Sequence, residues 1–318
     1  MSFPVPILLI VWRRPETTAL VIEAIQKVRP STIYIASDGP RQGVDGEAEK
    51  VIATRELVMR SIDWNCDIKT RFSNVNLGCR DGVASAITWF FENVSQGIIL
   101  EDDVVPHLEF FEYCQLCLEK YRKDSRIWAI SGNQTTRDQS VVIKYPPTPL
   151  HLRYNFNCWG WATWGDRWKH YSPILSSGWF ASNAVTIKSF SGATSGKEIL
   201  SRARLGSLKK VDTWDYQVNA VAASRLQYTI HPSIALIQNI GFGQDATHTF
   251  GKLNRDYFYE VNGLSRDEWI LSVRDFLKIP NCLPPFIREV SDLAYLKPTP
   301  LVRFKSYCKK LLKYIQVF

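Results

Sequence analysis

The sequence lacks a long hydrophobic run. The apolar stretch nearest the N-terminus, Pro6–Trp12, is too short to cross a bilayer, and no basic leader precedes it. No other segment reaches the roughly 20 consecutive apolar residues that a transmembrane helix needs. These absences argue against a membrane-spanning protein and against a secretory signal peptide, so we expect a cytoplasmic protein.

The sequence also lacks the cysteine spacing of a disulfide framework. Its seven cysteines are an odd number scattered over 318 residues, which favours reduced thiols in the cytosol. Cys114 and Cys117 form a C-x-x-C pair, but they fall in Phe110–Tyr121, which has the spacing of an amphipathic helix. Since no second pair stands nearby, a metal or redox centre at these cysteines is disfavoured. There is no internal repeat and no low-complexity linker.

Acidic residues are missing from the C-terminal tail, Leu301–Phe318, which carries five basic residues and much of the net charge of +8. Phe304, Cys308, Leu311 and Ile315 recur in it at helical spacing. Such a basic amphipathic helix either lies on an anionic membrane surface or packs its apolar side on the protein, and the sequence leaves both open. Peripheral contact with the inner face of a membrane is therefore one expectation. Nucleic-acid binding is disfavoured, because the basic residues cluster in this tail and no recognition motif appears.

Apolar runs and amphipathic helices alternate along the first part of the chain. The predicted strands are Pro4–Trp12, Thr32–Ala36, Asp67–Phe72, Ile98–Leu100 and Ile127–Gly132, and the predicted helices are Thr17–Lys27, Glu47–Ile62, Asp81–Asn93 and Leu108–Lys123. This alternation predicts an α/β fold with a mainly parallel sheet flanked by helices. The alternation is lost from about Phe250. We therefore expect a sheet domain over residues 1–250 and a C-terminal helical extension over residues 251–318.

Three adjacent carboxylates, Glu101, Asp102 and Asp103, follow the fourth predicted strand. Ligands of open α/β sheets bind at the carboxyl ends of strands, and adjacent acids repel one another unless a positive group joins them. On an extended chain Glu101 and Asp103 would point one way and Asp102 the other, toward a cation and a sugar hydroxyl respectively. Oxygen ligands suit Mg²⁺ or Mn²⁺. The alternative is a solvated acidic turn.

Polar residues also follow the other predicted strands. Arg13 and Arg14 follow the first strand. Asp38 follows the second, where it could either bind a ligand or only stabilise the turn as an Asx-turn. Arg80 follows the loop after the third strand and could meet a phosphate or only solvent. His248 could complete a metal shell or stand in a polar loop without that role.

The order of these motifs resembles the nucleotide-sugar transferases of the GT-A fold, with N-acetylglucosaminyltransferase I and its bacterial relatives as the closest type. The resemblance covers roughly residues 4–250. Besides the acidic triad, the motifs that carry it are Phe110–Tyr113, Ile127–Gly132, Gly160-Trp161 and Asp212–Asp215. It implies an inverting, metal-dependent transfer of a hexosyl or N-acetylhexosaminyl group from a nucleotide-diphosphate sugar, with a UDP-sugar favoured. The acceptor would be a glycan or a lipid-linked glycan.

The resemblance also assigns roles to residues of this chain. It implies that Asp103 binds Mn²⁺ or Mg²⁺ and that Asp215 is the general base, with Asp212 as the alternate because Tyr216 stands where the animal enzyme has a second acid. The donor-binding residues that it implies are Arg13, Arg14, Asp38, Glu101, Asp102 and Trp161. Animal members carry a membrane anchor ahead of the catalytic domain, whereas this sequence begins at its first strand, which favours a bacterial cytosolic enzyme.

Two other functions remain as alternatives. A sugar-phosphate nucleotidyltransferase shares the sheet and the metal carboxylates, but it usually has a glycine-rich basic loop after the first strand. Residues Arg13–Thr17 contain no glycine, which disfavours that class. A carbohydrate-binding protein without catalytic turnover is the third possibility. The tryptophans of residues 157–171 fit either a sugar platform or a packed core.

Overall fold

The computed structural model describes residues 2–133, 148–241 and 265–286. The strands are β1 (Ile7–Val11), β2 (Thr32–Ser37), β3 (Asp67–Phe72), β4 (Gln96–Glu101), β5 (Val104–Pro106), β6 (Ile127–Ser131), β7 (Leu150–Arg153), β8 (Trp161–Trp164), β9 (Tyr228–Pro232) and β10 (Ile237–Asn239). The helices are α1 (Pro15–Val28), α2 (Glu47–Ser61), α3 (Gly78–Asn93), α4 (Leu108–Lys120), α5 (Gly165–Trp168), α6 (Ser177–Ser191), α7 (Ala193–Ser207), α8 (Asp215–Ser224) and α9 (Arg266–Leu277). None of the helices in these ranges has the length and apolarity needed to span a bilayer.

Eight strands form one sheet in the order β3-β2-β1-β4-β8-β6-β9-β7. The pairs β1–β2, β1–β4, β2–β3 and β6–β9 are parallel, whereas β8 and β7 run antiparallel to their neighbours. The expected α/β class is confirmed: a mainly parallel, Rossmann-like sheet flanked by helices, consistent with the GT-A fold. The antiparallel strands β7 and β8 were not predicted, because each has only four residues and shows no period of its own.

Both faces of the sheet are covered, which explains the continuous apolar runs of its central strands. Ile7 and Leu9 of β1 belong to a core cluster under α1, α4 and α9, whereas Leu8 points into a second cluster under α3, α6, α7 and α8. The same alternation holds in β4, where Ile98 joins the first cluster and Ile99 the second. The carboxyl ends of β1 and β4 are thereby fixed side by side.

Of the tryptophans that follow Asn157, Trp161, Trp164 and Trp168 lie in the core, and Trp159 is partly buried. Trp161 of β8 is fully buried, and its ring stacks on Trp214 with ring centroids 5.7 Å apart. Phe156 and Trp168 complete the same aromatic cluster. The resemblance implied that Trp161 forms the floor of the donor site. The structure instead packs it between the sheet and α8, because β8 is an interior strand with helices on its side.

The described part of the C-terminal extension packs on the sheet domain. Ser265 and Glu268 form a capping box that starts α9, and Trp269 is fully buried with its Nε1 donating to Ser233 Oγ at 3.0 Å. Helix α9 lies against α4. The domain boundary at residue 250 stays a prediction, and the tail 301–318 lies outside the described residues.

Two buried histidines stand opposite each other on the outer strands. His151 of β7 and His231 of β9 are register partners, and their rings stack with centroids 5.7 Å apart. The ring nitrogens of His231 lie 3.0 Å from the Asn133 carbonyl oxygen and 3.1 Å from that of Asn155. Burial, helped by the charge of Arg153, lowers the pKa of His231 to about 3.

Acidification is expected to destabilise the protein through His231. An unfolded histidine has a pKa of about 6.5, so below that pH the unfolded chain binds a proton that the folded chain does not. At pH 5 this costs about 2 kcal/mol of unfolding free energy, from about 1.4 kcal/mol per pH unit. Urea unfolding at pH 7 and pH 5 measures it. His231→Gln should reduce the loss between the two pH values. His170→Gln should reduce it by less, because His170 is partly exposed and its burial lowers the pKa less; an unchanged loss in His231→Gln would contradict the assignment.

Candidate functional site

A cavity of about 630 Å³ opens at the carboxyl ends of β1, β2 and β4. This is the edge at which ligands of open α/β sheets bind. The structure brings five of the predicted donor-binding residues to its wall, and residues from the following loops join them. The polar and charged residues that line it include Arg13, Arg14, Asp38, Asn76, Glu101, Asp102 and Asp212, with Trp12 and Cys79 beside them.

Arg14 joins two of the three acids. Its guanidinium lies 2.7 Å from Asp103 Oδ2 and 3.0 Å from Asp102 Oδ1, and the backbone N–H of Trp12 donates to Asp102 Oδ2 at 3.1 Å. The prediction that Asp102 and Asp103 point in opposite directions is wrong. The extended chain ends at Glu101 and the next two residues form a turn, so both carboxylates face the Arg14 guanidinium.

The cluster carries more negative charge than Arg14 offsets. Burial, together with the neighbouring charges of Asp103, Asp102 and Asp215 and against the opposing effect of Arg14, raises the pKa of Glu101 to about 8. Burial also raises the pKa of Asp102, although Arg14 and the Trp12 N–H favour its charged form. A site of this kind gains by binding another positive group.

The donor atoms at the cluster fit a hard divalent cation. Asp103 contributes a carboxylate at the rim, and its backbone is held by a hydrogen bond of 2.8 Å from the Ile240 N–H to its carbonyl oxygen. In the part of the chain that the structure describes, no three His, Cys, Asp or Glu residues are grouped to enclose a metal. One or two carboxylates completed by phosphate oxygens and water are the usual Mg²⁺ arrangement. His248, the other predicted ligand, lies outside the described residues.

Gly241 leaves the space that the Asp103 carboxylate occupies. A Cβ atom at position 241 would lie 1.9 Å from Asp103 Oδ2, closer than any real contact. Gly241→Ala is therefore expected to push the carboxylate away from Arg14 and to weaken metal-assisted binding of a nucleoside diphosphate at least tenfold. Titration calorimetry with Mn²⁺ present measures this. Gly178→Ala, whose Cβ would meet only Ser176 Oγ at 3.8 Å, is the matched control, and equal affinities in the two variants would contradict the prediction.

Asp38 anchors the loop that follows β3. Its carboxylate accepts hydrogen bonds from the Leu77 N–H at 2.9 and 3.0 Å, from the Gly78 N–H at 3.1 Å and from Asn76 Nδ2 at 3.1 Å. Burial raises the pKa of Asp38, while these backbone bonds lower it. Its predicted contact with the base edge stays a prediction. The geometry shows that Asp38 shapes the cavity wall through the loop it holds.

The two candidate bases have different surroundings. Asp212 caps α3, accepting from the Cys79 N–H at 2.9 Å and the Arg80 N–H at 3.0 Å. Asp215 begins α8, accepts a hydrogen bond from Thr213 Oγ1, and its charge acts on Glu101 across the site. Asp212 lines the cavity, whereas Asp215 is not among its lining residues, so the assignment of the general base to Asp215, with Asp212 as the alternate, stays a prediction.

Arg80 points away from the cavity. Its guanidinium pairs with Asp81 at 2.8 Å and donates to the carbonyl oxygens of Gly206 and Ser207 at 3.2 Å each. It is buried and ties α3 to the C-terminal end of α7, so the structure gives it these partners in place of the phosphate contact that the sequence left open. Trp12 and Asn76 line the cavity without having been predicted: Trp12 directly precedes Arg13, and Asn76 lies in the loop after β3.

Comparison with solved structures finds distant likenesses. No family model and no curated protein matches the chain. HddC from Yersinia pseudotuberculosis aligns over 51% of this chain and 77% of its own, at 10% identity and a TM-score of 0.32. A UDP-glucose pyrophosphorylase complexed with UDP-glucose aligns over 86% of this chain and 99% of its own, at 8% identity and a TM-score of 0.38. The glycosyltransferase GlyE of Streptococcus pneumoniae TIGR4 aligns over 86% of this chain and 64% of its own, also at 8% identity and a TM-score of 0.38. Because all three TM-scores are below 0.5, the function is argued from the site alone.

Proposed function

We propose that this protein is an inverting, metal-dependent glycosyltransferase that uses a nucleotide-diphosphate sugar, with a UDP-sugar as the favoured donor. The observation that carries the proposal is the pairing of Asp102 and Asp103 with Arg14 at the mouth of a cavity large enough for a nucleotide. In this proposal a separate acid, Asp215 at the start of α8, serves as the general base. These are the parts that a single displacement at an anomeric carbon requires.

The donor is bound through charge. Its nucleoside would occupy the cavity between the ends of β1 and β2, with the diphosphate toward Arg13 and Arg14. Oxygens of Asp103, and of Asp102 where it turns from Arg14, would hold Mn²⁺ or Mg²⁺, which when bound offsets the charge on the leaving diphosphate. Arg14 keeps the two carboxylates in place while no donor is present.

Asp215 supplies the base. In an inverting transfer the acceptor hydroxyl attacks the anomeric carbon from the side opposite the leaving group and loses its proton to a carboxylate on that side. The proton would pass to the Asp215 carboxylate, which Thr213 Oγ1 orients by its hydrogen bond. The acceptor is a glycan or a lipid-linked glycan in this proposal, and a cytoplasmic enzyme at the inner face of a bacterial membrane would reach such a substrate.

A thermal-shift screen of nucleoside diphosphates, with Mn²⁺ or with a chelator, tests the proposal. A ligand that binds only the folded state at about 100 times its Kd adds about 2.7 kcal/mol of stability. We expect UDP to raise the melting temperature most, and mainly when Mn²⁺ is present. No shift with any nucleoside diphosphate would refute the proposal.

A further inference from the structure

A second cavity lies between α4 and α9 and shares no lining residue with the first. It has a volume of about 620 Å³. Phe111 and Ile270 lie on its apolar wall, and two leucines on its rim are unusually exposed, Leu108 at 54% and Leu271 at 52%. We call it the α4–α9 groove. An exposed apolar groove of this kind marks an interaction site.

The rim of the α4–α9 groove is acidic. Glu109, Glu112 and Asp267 stand along it, and its one basic lining residue among those described, Arg274, is hydrogen-bonded to Glu112. An acidic rim is repelled by an anionic membrane surface and attracts a basic partner. The α4–α9 groove is therefore complementary to an amphipathic segment that has an apolar side and positive charges.

We propose that the tail 301–318 of the same chain docks as an amphipathic helix in the α4–α9 groove. The tail carries five basic residues and no acid, and its apolar residues Phe304, Cys308, Leu311 and Ile315 fall on one side of a helix. Burying this stripe against Leu108 and Leu271 removes apolar surface of both partners from water, while the lysines meet the acidic rim. This proposal does not depend on the function proposed above.

The chain is long enough for the tail to reach the groove. The last described residue, Phe286, packs against Tyr154 and Tyr228 at the outer part of the sheet. The 14 residues 287–300 span up to about 46–50 Å when extended. A globular chain of 318 residues has a radius of gyration of about 20 Å, so this linker can cross from the sheet edge to the helical layer.

Hydrogen exchange of the full chain tests the docking. In the wild type the backbone amides of 301–318 and of α9 should exchange at least about tenfold more slowly than in Leu271→Asp, which places a charge inside the groove. Leu208→Asp is the matched control, since Leu208 is 67% exposed and lies outside the groove. Unprotected tail amides in the wild type, or equal protection in both variants, would overturn the proposal.

Charge reversal tests the docking independently. The double variant Lys309→Glu, Lys310→Glu should release the tail and speed the exchange of its amides. Adding Glu109→Lys and Asp267→Lys should restore their slow exchange. Tail protection that appears only with anionic phosphatidylserine vesicles would overturn the proposal in favour of a membrane partner. Protection that grows with protein concentration, together with a dimer in sedimentation, would overturn it in favour of a second copy.

Discussion

Replacing Asp215 by asparagine is expected to lower kcat by about 10²–10⁴-fold, the usual cost of losing one positioned general base. The amide keeps the size of the side chain and can still accept the hydrogen bond from Thr213 Oγ1, but it cannot take a proton. Donor binding should change little, because Asp215 is not part of the Arg14 cluster. Steady-state kinetics with saturating donor, together with calorimetric donor affinity, separates the two effects.

Asp212→Asn is the matched control for that experiment. An asparagine at the cap of α3 keeps one acceptor oxygen, so we expect a loss of about 1 kcal/mol or less in unfolding free energy and a kcat within a few-fold of the wild type. A large fall in kcat for Asp212→Asn, with little change for Asp215→Asn, would move the base to Asp212.

Replacing Asp103 by alanine should abolish the stabilisation that a nucleoside diphosphate provides in the presence of Mn²⁺. Asp103 supplies the rim carboxylate that Arg14 holds at 2.7 Å, and without it the metal loses a protein ligand. The variant should fold, because the Asp103 side chain is partly exposed and pairs with Arg14, a residue of the cavity wall, and not with the core. Thermal shifts with UDP, with and without Mn²⁺, measure the effect.

Asp67→Ala is the control for this second variant. Asp67 begins β3, at the amino ends of the parallel strands, and pairs with Lys69 on the surface. Its removal should leave the ligand-induced shift unchanged. An Asp103→Ala protein that keeps the full Mn²⁺-dependent shift would remove Asp103 from the proposed metal site.

The sequence predicts the parallel half of the sheet because the patterns there are local. Ile98–Leu100 is apolar throughout since it is buried on both faces, and the acids that follow it fall at a strand end, where ligands bind. The resemblance likewise named both Arg14 and Asp103. Their ion pair could not be predicted, because it joins residues 89 positions apart and depends on a turn at Asp102.

Three assignments depended on contacts that no local pattern contains. Asp212 caps α3 from a position 133 residues away from Cys79. Arg80 finds its acceptors at the end of α7, 126 and 127 residues away. The resemblance assigned Trp161 to the donor site, yet the four-residue strand that contains it is interior and Trp161 is fully buried. Side chains at strand ends were predictable, and their partners were not.

The proposed reaction transfers a sugar at the cavity and releases a nucleoside diphosphate. ³¹P NMR of the full chain with a UDP-sugar, diamagnetic Mg²⁺ and pyrophosphate, with and without a glycan acceptor, follows this reaction through its phosphorus-containing products. We expect UDP to appear, and its formation to be accelerated by a suitable acceptor. Formation of UTP and a sugar 1-phosphate, which a nucleotidyltransferase produces from the same mixture, would contradict it.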